Sequence, residues 1–221
     1  MSRGPAGAAV IVGAGPGVGT SVAWRFGREG HPVGLVARDR RRLEATRDEL
    51  RAAGLECEVA VADVRDVAAL EAAIDELAAH LGAIEVLCVS PLPDVATIKP
   101  VVETSAEDLR AGLELGVVGT AAAVNRVLPS MRSAGRGTLL FTTGSAVLRP
   151  NPERAASGIV NAAQSVYFRM LHERLGGEGI YALHTVIVGP IGPDGHDPDE
   201  IAAAMWEASR SRQKARIVIE R

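Results

Sequence analysis

The chain has 221 residues, of which 47% are hydrophobic and 23% are charged, and its formal net charge at pH 7 is −3. This length and composition fit one globular domain, for which we take residues 1–221, or at most two small ones, and they exclude a disordered or fibrous chain. Lys and Arg total 24 against 27 Asp and Glu, so the sequence offers no basic excess for binding nucleic acid, and we expect no nucleic-acid partner.

The apolar segments of the sequence are broken by glycine or charge, and they fall short of the roughly 20 residues that a membrane-spanning helix needs. The first apolar run, Ala8–Val12, leads into a glycine cluster instead of a cleavage site, which argues against a signal peptide. We therefore expect no membrane segment and, by default, a cytoplasmic location.

Seven short apolar runs predict β-strands at 8–12, 32–37, 56–61, 84–89, 138–142, 180–188 and 215–220. Segments of helical period lie between them, and this alternation is typical of a parallel sheet with helices on both faces. Ser105 followed by Asp108 forms a capping-box pattern, and Asp197 before Pro198 marks a second helix start.

Cysteine and histidine usage indicates neither a disulfide framework nor a metal site. Cys57 and Cys88 each lie in a predicted strand, where a thiol behaves as a small apolar side chain. The five histidines are not spaced as metal ligands, so we expect no metal.

A glycine-rich turn follows the first predicted strand and reads Gly13-Ala14-Gly15-Pro16-Gly17-Val18-Gly19. Glycines at a strand-to-helix turn allow the free N–H groups of the next helix to approach a pyrophosphate. The spacing G-x-x-x-G-x-G fits through Gly13, Gly17 and Gly19, whereas G-x-G-x-x-G counted from Gly13 fails at Val18. The alternative is a glycine-rich turn that holds no ligand.

This spacing, directly after the first strand, resembles the short-chain dehydrogenase/reductase family, and the resemblance extends over nearly the whole chain. It implies a single Rossmann-type, doubly wound α/β domain with a seven-stranded parallel sheet. It also implies a nicotinamide dinucleotide held at the turn by Gly13, Gly15, Pro16, Gly17, Val18 and Gly19.

The second predicted strand ends in Ala37-Arg38-Asp39. Family members that prefer NADP have a small residue followed by arginine here, and a guanidinium can pair with the 2′-phosphate. The resemblance therefore implies NADP(H) binding through Arg38. Asp39 keeps NAD(H) open as the cofactor, and Arg38 as a plain surface residue is the remaining alternative.

Three other segments resemble cofactor contacts of the family. Asp63 and Val64 match the segment whose aspartate bonds the adenine amino group, although Asp63 is also suited to cap the helix near Val67. Ser90 stands in the turn after the fourth strand, where the family has paired asparagines. Gly189-Pro190 resembles the family's nicotinamide-side segment with the two residues in reversed order.

The family's catalytic pattern is broken in this sequence. The family uses a tyrosine as acid and a lysine four residues later, but here the lysines are Lys99 and Lys214, and neither follows a tyrosine by four. Alignment on the segment 175–180 places Ser157 at the tyrosine position and Asn161 at the lysine position.

The family's other two catalytic residues are replaced as well. Gly116 stands at the asparagine position, and Gly144 stands at the serine position with Ser145 directly after it. Ser145, Ser157 and Asn161 are therefore the candidate catalytic residues; the alternative is that they are neutral replacements. A serine hydroxyl is a far weaker acid than a tyrosine phenol, whose pKa is about 10, so we expect any reductase activity to be slow.

The remaining candidate acids are better suited to packing. Tyr167 lies six residues beyond Asn161, about 240° around the helix, so the two side chains do not point to one substrate. We expect Tyr167 to pack against its surroundings or a second subunit, and Tyr181 and His184 to pack in the core.

Three functions remain open at the level of sequence. One is an atypical oxidoreductase that acts on a small carbonyl or hydroxyl compound with a non-standard proton donor. The second is a redox-neutral cyclase, dehydratase or isomerase on the same scaffold, and the third is a catalytically silent cofactor-binding or partner protein. The family association through helices near 107–132 and 155–175 implies a homodimer or homotetramer.

Overall fold

The protein is built on one seven-stranded sheet, which the computed structural model describes within residues 6–93 and 98–220. The sheet order is β3-β2-β1-β4-β5-β6-β7, and every neighbouring pair is parallel. The strands are β1 (Ala8–Val12), β2 (Val33–Ala37), β3 (Cys57–Val61), β4 (Ile84–Val89), β5 (Gly137–Gly144), β6 (Ile180–Ile187) and β7 (Arg216–Ile219). The predicted doubly wound sheet is confirmed, and its order reverses between β1 and β4, the point where such sheets bind ligands.

Seven α-helices connect the strands: α1 (Val18–Arg28), α2 (Arg40–Ala52), α3 (Val67–Leu81), α4 (Ala106–Leu113), α5 (Gly119–Ala134), α6 (Ala155–Leu175) and α7 (Pro198–Ser211). One turn of π-helix, Glu114–Val118, joins α4 to α5 without a break. The capping box at Ser105 and Asp108 and the Asp197 cap of α7 are both confirmed.

The core lies in two layers, one on each face of the sheet. Ile11 of β1 belongs to the layer that contains residues of α1, α2 and α7, whereas Val10 belongs to the layer that contains residues of α3, α5 and α6. All five residues of β1 are buried, as expected for a central strand covered on both faces. Cys57 and Cys88 are buried free thiols, and desolvation raises the pKa of each to about 12.

The continuous helical stretch Ala106–Ala134 is long and apolar enough, by length and composition, to cross a membrane. This stretch is longer than the apolar segments expected from the sequence. Its apolar window is 44% buried against the rest of the fold, and buried core helices pass the same test, so it is weak evidence for a span.

Candidate functional site

Two glycines of the first turn are required by close backbone packing. Gly13 has φ +88°, and a Cβ built there would lie 2.6 Å from the backbone nitrogen of Pro91. A Cβ on Gly19 would lie 2.6 Å from the carbonyl oxygen of Gly13. The backbone of the turn therefore packs closely on the residues after β4 and on the first turn of α1, which leaves no space for a side chain at Gly13 or Gly19.

The other two glycines border open space. For Gly15 and Gly17, no described heavy atom lies within 4 Å of an added Cβ, and Gly17 adopts φ +103°. Gly17 occupies the N-cap position of α1 and has no side chain with which to cap it, so the free N–H groups of the first turn favour an anion. Pro16 is exposed between them, whereas the Val18 side chain is buried in the core and offers only its backbone.

Thr20 belongs to the same turn, although the sequence did not single it out. Its Oγ1 donates to the Gly15 carbonyl oxygen at 2.9 Å, and its backbone nitrogen donates to the same oxygen at 3.3 Å. These two bonds hold the open part of the turn in a fixed shape.

Arg38 directly follows β2 and is mostly exposed. Its side chain is 67% exposed, and Nη1 lies 3.9 Å from Oδ2 of Asp63. Asp39, by contrast, caps α2: its carboxylate accepts from the Arg42 backbone nitrogen at 3.2 Å and pairs with Arg42 Nε at 3.2 Å. An open depression here is lined by Arg38, Asp39, Arg40, Arg41 and Arg42.

Asp63 follows β3 and faces Arg38. Arg65 holds its carboxylate with side-chain contacts of 3.1 and 2.7 Å, and these hydrogen bonds lower the pKa of Asp63. Asp66, not Asp63, caps α3 by accepting from Ala69 N at 3.0 Å, so the alternative that Asp63 caps this helix is wrong.

Val64 is buried in the core beside the first residue of α5. A Cβ built on Gly119 would lie 2.2 Å from the Val64 carbonyl oxygen, so the turn after β3 packs directly on that helix.

Hydroxyl groups lie at the ends of β4 and β5. Ser90 donates its backbone N–H to the Val12 carbonyl oxygen at 2.9 Å, and its Oγ accepts from Thr142 Oγ1 at 2.7 Å. The sequence analysis identified Ser90 but missed Thr142, whose position becomes evident only when the strands are paired.

The next residue, Thr143, points to the opposite face of the sheet. Its Oγ1 lies 2.7 Å from Nε2 of His184, which is 3% exposed. Desolvation, reinforced by Arg216, lowers the pKa of His184 to about 4. The predicted core positions of His184 and Tyr181 are confirmed.

The three candidate catalytic residues surround the carboxyl end of β5. Asn161 Nδ2 donates to the Gly144 carbonyl oxygen at 3.3 Å, and Ser145 begins the short 3-10 turn directly after Gly144. Ser157 lies one helical turn before Asn161 on α6, and α6 packs on this 3-10 turn. All three side chains are half-buried at the carboxyl edge of the sheet.

Gly116, at the family's asparagine position, lies in the π-helical turn. A Cβ there would lie 2.6 Å from Val160 Cγ1 and 3.2 Å from Cδ of Gln164. Gln164 is 7% exposed, and its Nε2 donates to the Gly116 carbonyl oxygen at 2.9 Å. The buried amide of Gln164 thus fixes the π-helical turn, a role that the sequence analysis missed.

Tyr167 and Tyr181 lie apart from this group. Tyr167 is half-buried against the core, and desolvation raises its pKa. Tyr181 lies at the start of β6, and its hydroxyl donates to the carbonyl oxygen of Lys214, just before β7, at 2.5 Å.

The loops after β4, β5 and β6 present apolar side chains to solvent near the same edge: Leu92, Leu148 and Ile191 are 83%, 37% and 43% exposed. Gly189 and Pro190 are exposed at the end of β6. Within residues 6–93 and 98–220, no group of three or more His, Cys, Asp or Glu side chains is placed to hold a metal ion.

Comparison with known families identifies the group of proteins to which this fold and glycine turn belong. The profile described as short chain dehydrogenase matches residues 7–195. The chain belongs to the short-chain dehydrogenase family.

Relatives and solved structures extend this comparison. The chain is 35% identical over 126 residues to a 3-dehydrosphinganine reductase of Arabidopsis thaliana, a match that spans 57% of this chain and 37% of the reductase. The fold resembles the L-sorbose reductase of Gluconobacter frateurii complexed with NADPH and L-sorbose, with a TM-score of 0.91, 18% identity and coverage of 100% and 97% of the two chains.

A second solved structure is an NADPH-bound short chain oxidoreductase from Pseudomonas aeruginosa, described as containing an atypical catalytic center. It is 19% identical, with a TM-score of 0.88 and coverage of 96% and 95% of the two chains. At these identities the two structures establish the fold of this chain. Its chemistry has to be inferred from its own residues.

Proposed function

We propose that this chain, acting as one unit over residues 1–221, binds NADP(H) across the carboxyl edge of its sheet. The observation that carries the proposal is the open side of the glycine turn, where Gly15 and Gly17 leave room beside the uncapped N-terminus of α1. A pyrophosphate placed there gains N–H donors and the helix dipole. The NADPH of the sorbose reductase, a protein of the same fold, supports this proposal.

The charges at the end of β2 favour NADP(H) over NAD(H). Arg38 is mostly exposed, and among the residues that the structure describes its ion pair is the 3.9 Å contact with Asp63, so its guanidinium is available to a 2′-phosphate. Asp39, the residue that kept NAD(H) open, is engaged in capping α2 and pairing Arg42.

The test is calorimetric titration of NADP⁺ and NAD⁺ into the wild-type chain and Arg38→Ala. A charge-assisted hydrogen bond contributes about 1.5–3 kcal/mol, so the variant should bind NADP⁺ roughly 10- to 150-fold more weakly and NAD⁺ unchanged. Arg169→Ala is the matched control, because Arg169 is also 67% exposed and makes a 3.8 Å ion pair. Equal losses for both nucleotides would overturn the role of Arg38.

We further propose that the chain is an oxidoreductase for a small carbonyl or hydroxyl compound, with a proton donor other than tyrosine. When bound, NADPH supplies a hydride. Ser157 and Ser145 supply hydroxyl donors at the β5 end, and Asn161 keeps the Gly144 carbonyl in place. Leu92, in the loop after the adjacent strand β4, is 83% exposed and favours a substrate with an apolar surface. The oxidoreductase with an atypical catalytic center shows that a related fold occurs with such a centre.

The test of chemistry follows NADPH absorbance with a panel of apolar ketones and aldehydes. We expect slow turnover that falls about 100-fold in Ser157→Ala, the cost of removing one donor to a developing alkoxide. Ser130→Ala is the control, since the Ser130 hydroxyl donates to the Val127 carbonyl oxygen one turn earlier on α5. Undiminished turnover in Ser157→Ala would overturn its role.

The second candidate is a redox-neutral enzyme or a silent cofactor-binding protein. It is favoured by Asn161, whose amide nitrogen donates to the Gly144 carbonyl oxygen. Because this amide is uncharged, it cannot lower the pKa of a neighbouring hydroxyl as an ammonium does. NADPH binding without oxidation by any compound in the panel supports this candidate over the oxidoreductase.

We also propose that the chain forms a homodimer or homotetramer through the outer face of α6. Ile159, Val166 and Met170 are 45%, 49% and 51% exposed, and their spacing places them on one side of the helix. Light scattering should give a multiple of the chain mass, reduced by Met170→Asp but not by Val61→Asp at the β3 edge. A monomeric wild-type chain would refute this assembly.

A further inference from the structure

The loop after β6 folds back on itself instead of extending over the sheet. His196 N donates to the Pro190 carbonyl oxygen at 2.9 Å, and Gly192 N donates to the His196 carbonyl oxygen at 3.0 Å. A Cβ built on Gly195 would lie 2.1 Å from the Pro190 carbonyl oxygen, so the loop closes tightly upon itself. These contacts define a short, closed turn from Val188 to Asp197.

The imidazole of His196 is the buried centre of this turn. It is 5% exposed, and its Nε2 lies 2.8 Å from the Val188 carbonyl oxygen. Because a carbonyl oxygen only accepts, Nε2 carries the proton and donates. A Cβ on Gly189 would lie 3.6 Å from Nε2, so the ring lies directly against the exposed backbone at Gly189.

This backbone lies at a defined end of the proposed cofactor site. Arg38 and Asp63 lie at β2 and β3, on one side of the reversal between β1 and β4, while β6 lies on the other side. A dinucleotide bound across this point places its two nucleotide halves on opposite sides. With adenosine at β2 and β3, the nicotinamide half falls on the side of β4, β5 and β6, where Gly189 is exposed.

We propose that His196 is a positioning residue for the nicotinamide half of the cofactor. Its ring donates to the Val188 carbonyl oxygen and packs against Gly189. These contacts hold the exposed backbone in place before the cofactor binds. The proposal rests on the proposed binding of NADP(H) and assigns no contact with the adenosine half. Preorganised backbone lowers the ordering cost of binding.

The two amide side chains provide the test, because they place their nitrogen at different positions. The amide nitrogen of glutamine matches imidazole Nε2, whereas that of asparagine matches Nδ1. His196→Gln therefore keeps the bond to Val188, and His196→Asn loses it. Each variant is titrated with NADP⁺ and with adenosine 2′,5′-bisphosphate, which lacks the nicotinamide half.

We expect His196→Asn to bind NADP⁺ about tenfold more weakly, because the variant loses one buried hydrogen bond. Its affinity for adenosine 2′,5′-bisphosphate should be unchanged. His196→Gln should restore most of the NADP⁺ affinity. His172→Gln is the control. The ring of His172 bonds the Ala182 carbonyl oxygen through Nδ1 at 2.8 Å, near the start of β6, and a glutamine, whose amide nitrogen matches Nε2, loses this bond. The affinity for both ligands should be unchanged in this variant.

Equal weakening of both ligands in His196→Asn would show general damage and overturn the proposal. Unchanged NADP⁺ affinity in that variant would overturn it as well, while leaving cofactor binding intact. A wild-type chain that binds neither ligand would overturn the proposed function, and this positioning role with it.

Discussion

Gly116 is predicted to be a packing requirement of the contact between the π-helical turn and α6. Its missing Cβ would lie 2.6 Å from Val160 Cγ1, a distance that forces the buried, β-branched Val160 to move. Overpacking of this kind lowers the free energy of unfolding by about 1–3 kcal/mol. Replacing glycine by alanine in a helix raises it by up to about 1 kcal/mol. The single variant Gly116→Ala therefore mixes two opposing effects.

A double-mutant cycle separates these effects. In a Val160→Ala background the clash is relieved, but the propensity gain of Gly116→Ala remains. The coupling free energy between the two substitutions should therefore equal the clash with Val160, about 1–3 kcal/mol, because the 3.2 Å approach to Gln164 is present in both backgrounds. At about 2–4 °C per kcal/mol for a chain of this size, the melting temperatures should show the same coupling.

The assay is denaturant unfolding of the four proteins in the cycle. Gly158→Ala on α6 is the control, because a Cβ there has no neighbour within 4 Å among the residues described, and it should stabilise the chain by up to about 1 kcal/mol. Additive effects of Gly116→Ala and Val160→Ala would refute the packing argument and leave Gly116 as a neutral replacement of the family's asparagine.

The remaining predictions concern the glycine turn and the start of α4. Gly15→Ala should keep the wild-type free energy of unfolding and weaken NADP⁺ binding, whereas Gly13→Ala, whose Cβ would meet Pro91, should lose stability as well; equal unfolding midpoints for the two variants would contradict this. The bidentate Lys99 contact, with the Ser105 bonds, lowers the pKa of Asp108 to about 2, below about 3.9 when unfolded. Asp108 therefore stabilises the fold above about pH 4, and the difference between wild type and Asp108→Asn should vanish as the pH falls through about 2 in acid-unfolding curves; a difference that persists below pH 2 would contradict the assignment.

The features that sequence predicts well here are those encoded over short stretches. Strands β1, β2, β4, β5 and β6 are largely buried apolar runs, whereas β3 and β7 are partly exposed, and the number of strands follows from their alternation with helices. The capping box at Ser105 is set by residues three positions apart, so it is visible in the sequence. The spacing of Gly13, Gly17 and Gly19 likewise predicts the turn that the structure contains.

Features that depend on distant partners could not be predicted in the same way. The requirement for glycine at position 116 comes from Val160 and Gln164 on another helix, and the Ser90–Thr142 bond depends on strand pairing. In each case the sequence identifies suitable groups, and the fold decides which of them meet.

Binding of NADPH by the wild-type chain is the central claim of this account, and calorimetric titration of NADPH and NADH tests it most directly. We predict saturable binding of NADPH at one site per chain, tighter than that of NADH because Arg38 faces the 2′-phosphate. Saturable binding of NADH alone would contradict the role of Arg38, and the absence of binding by either nucleotide would contradict the cofactor site itself.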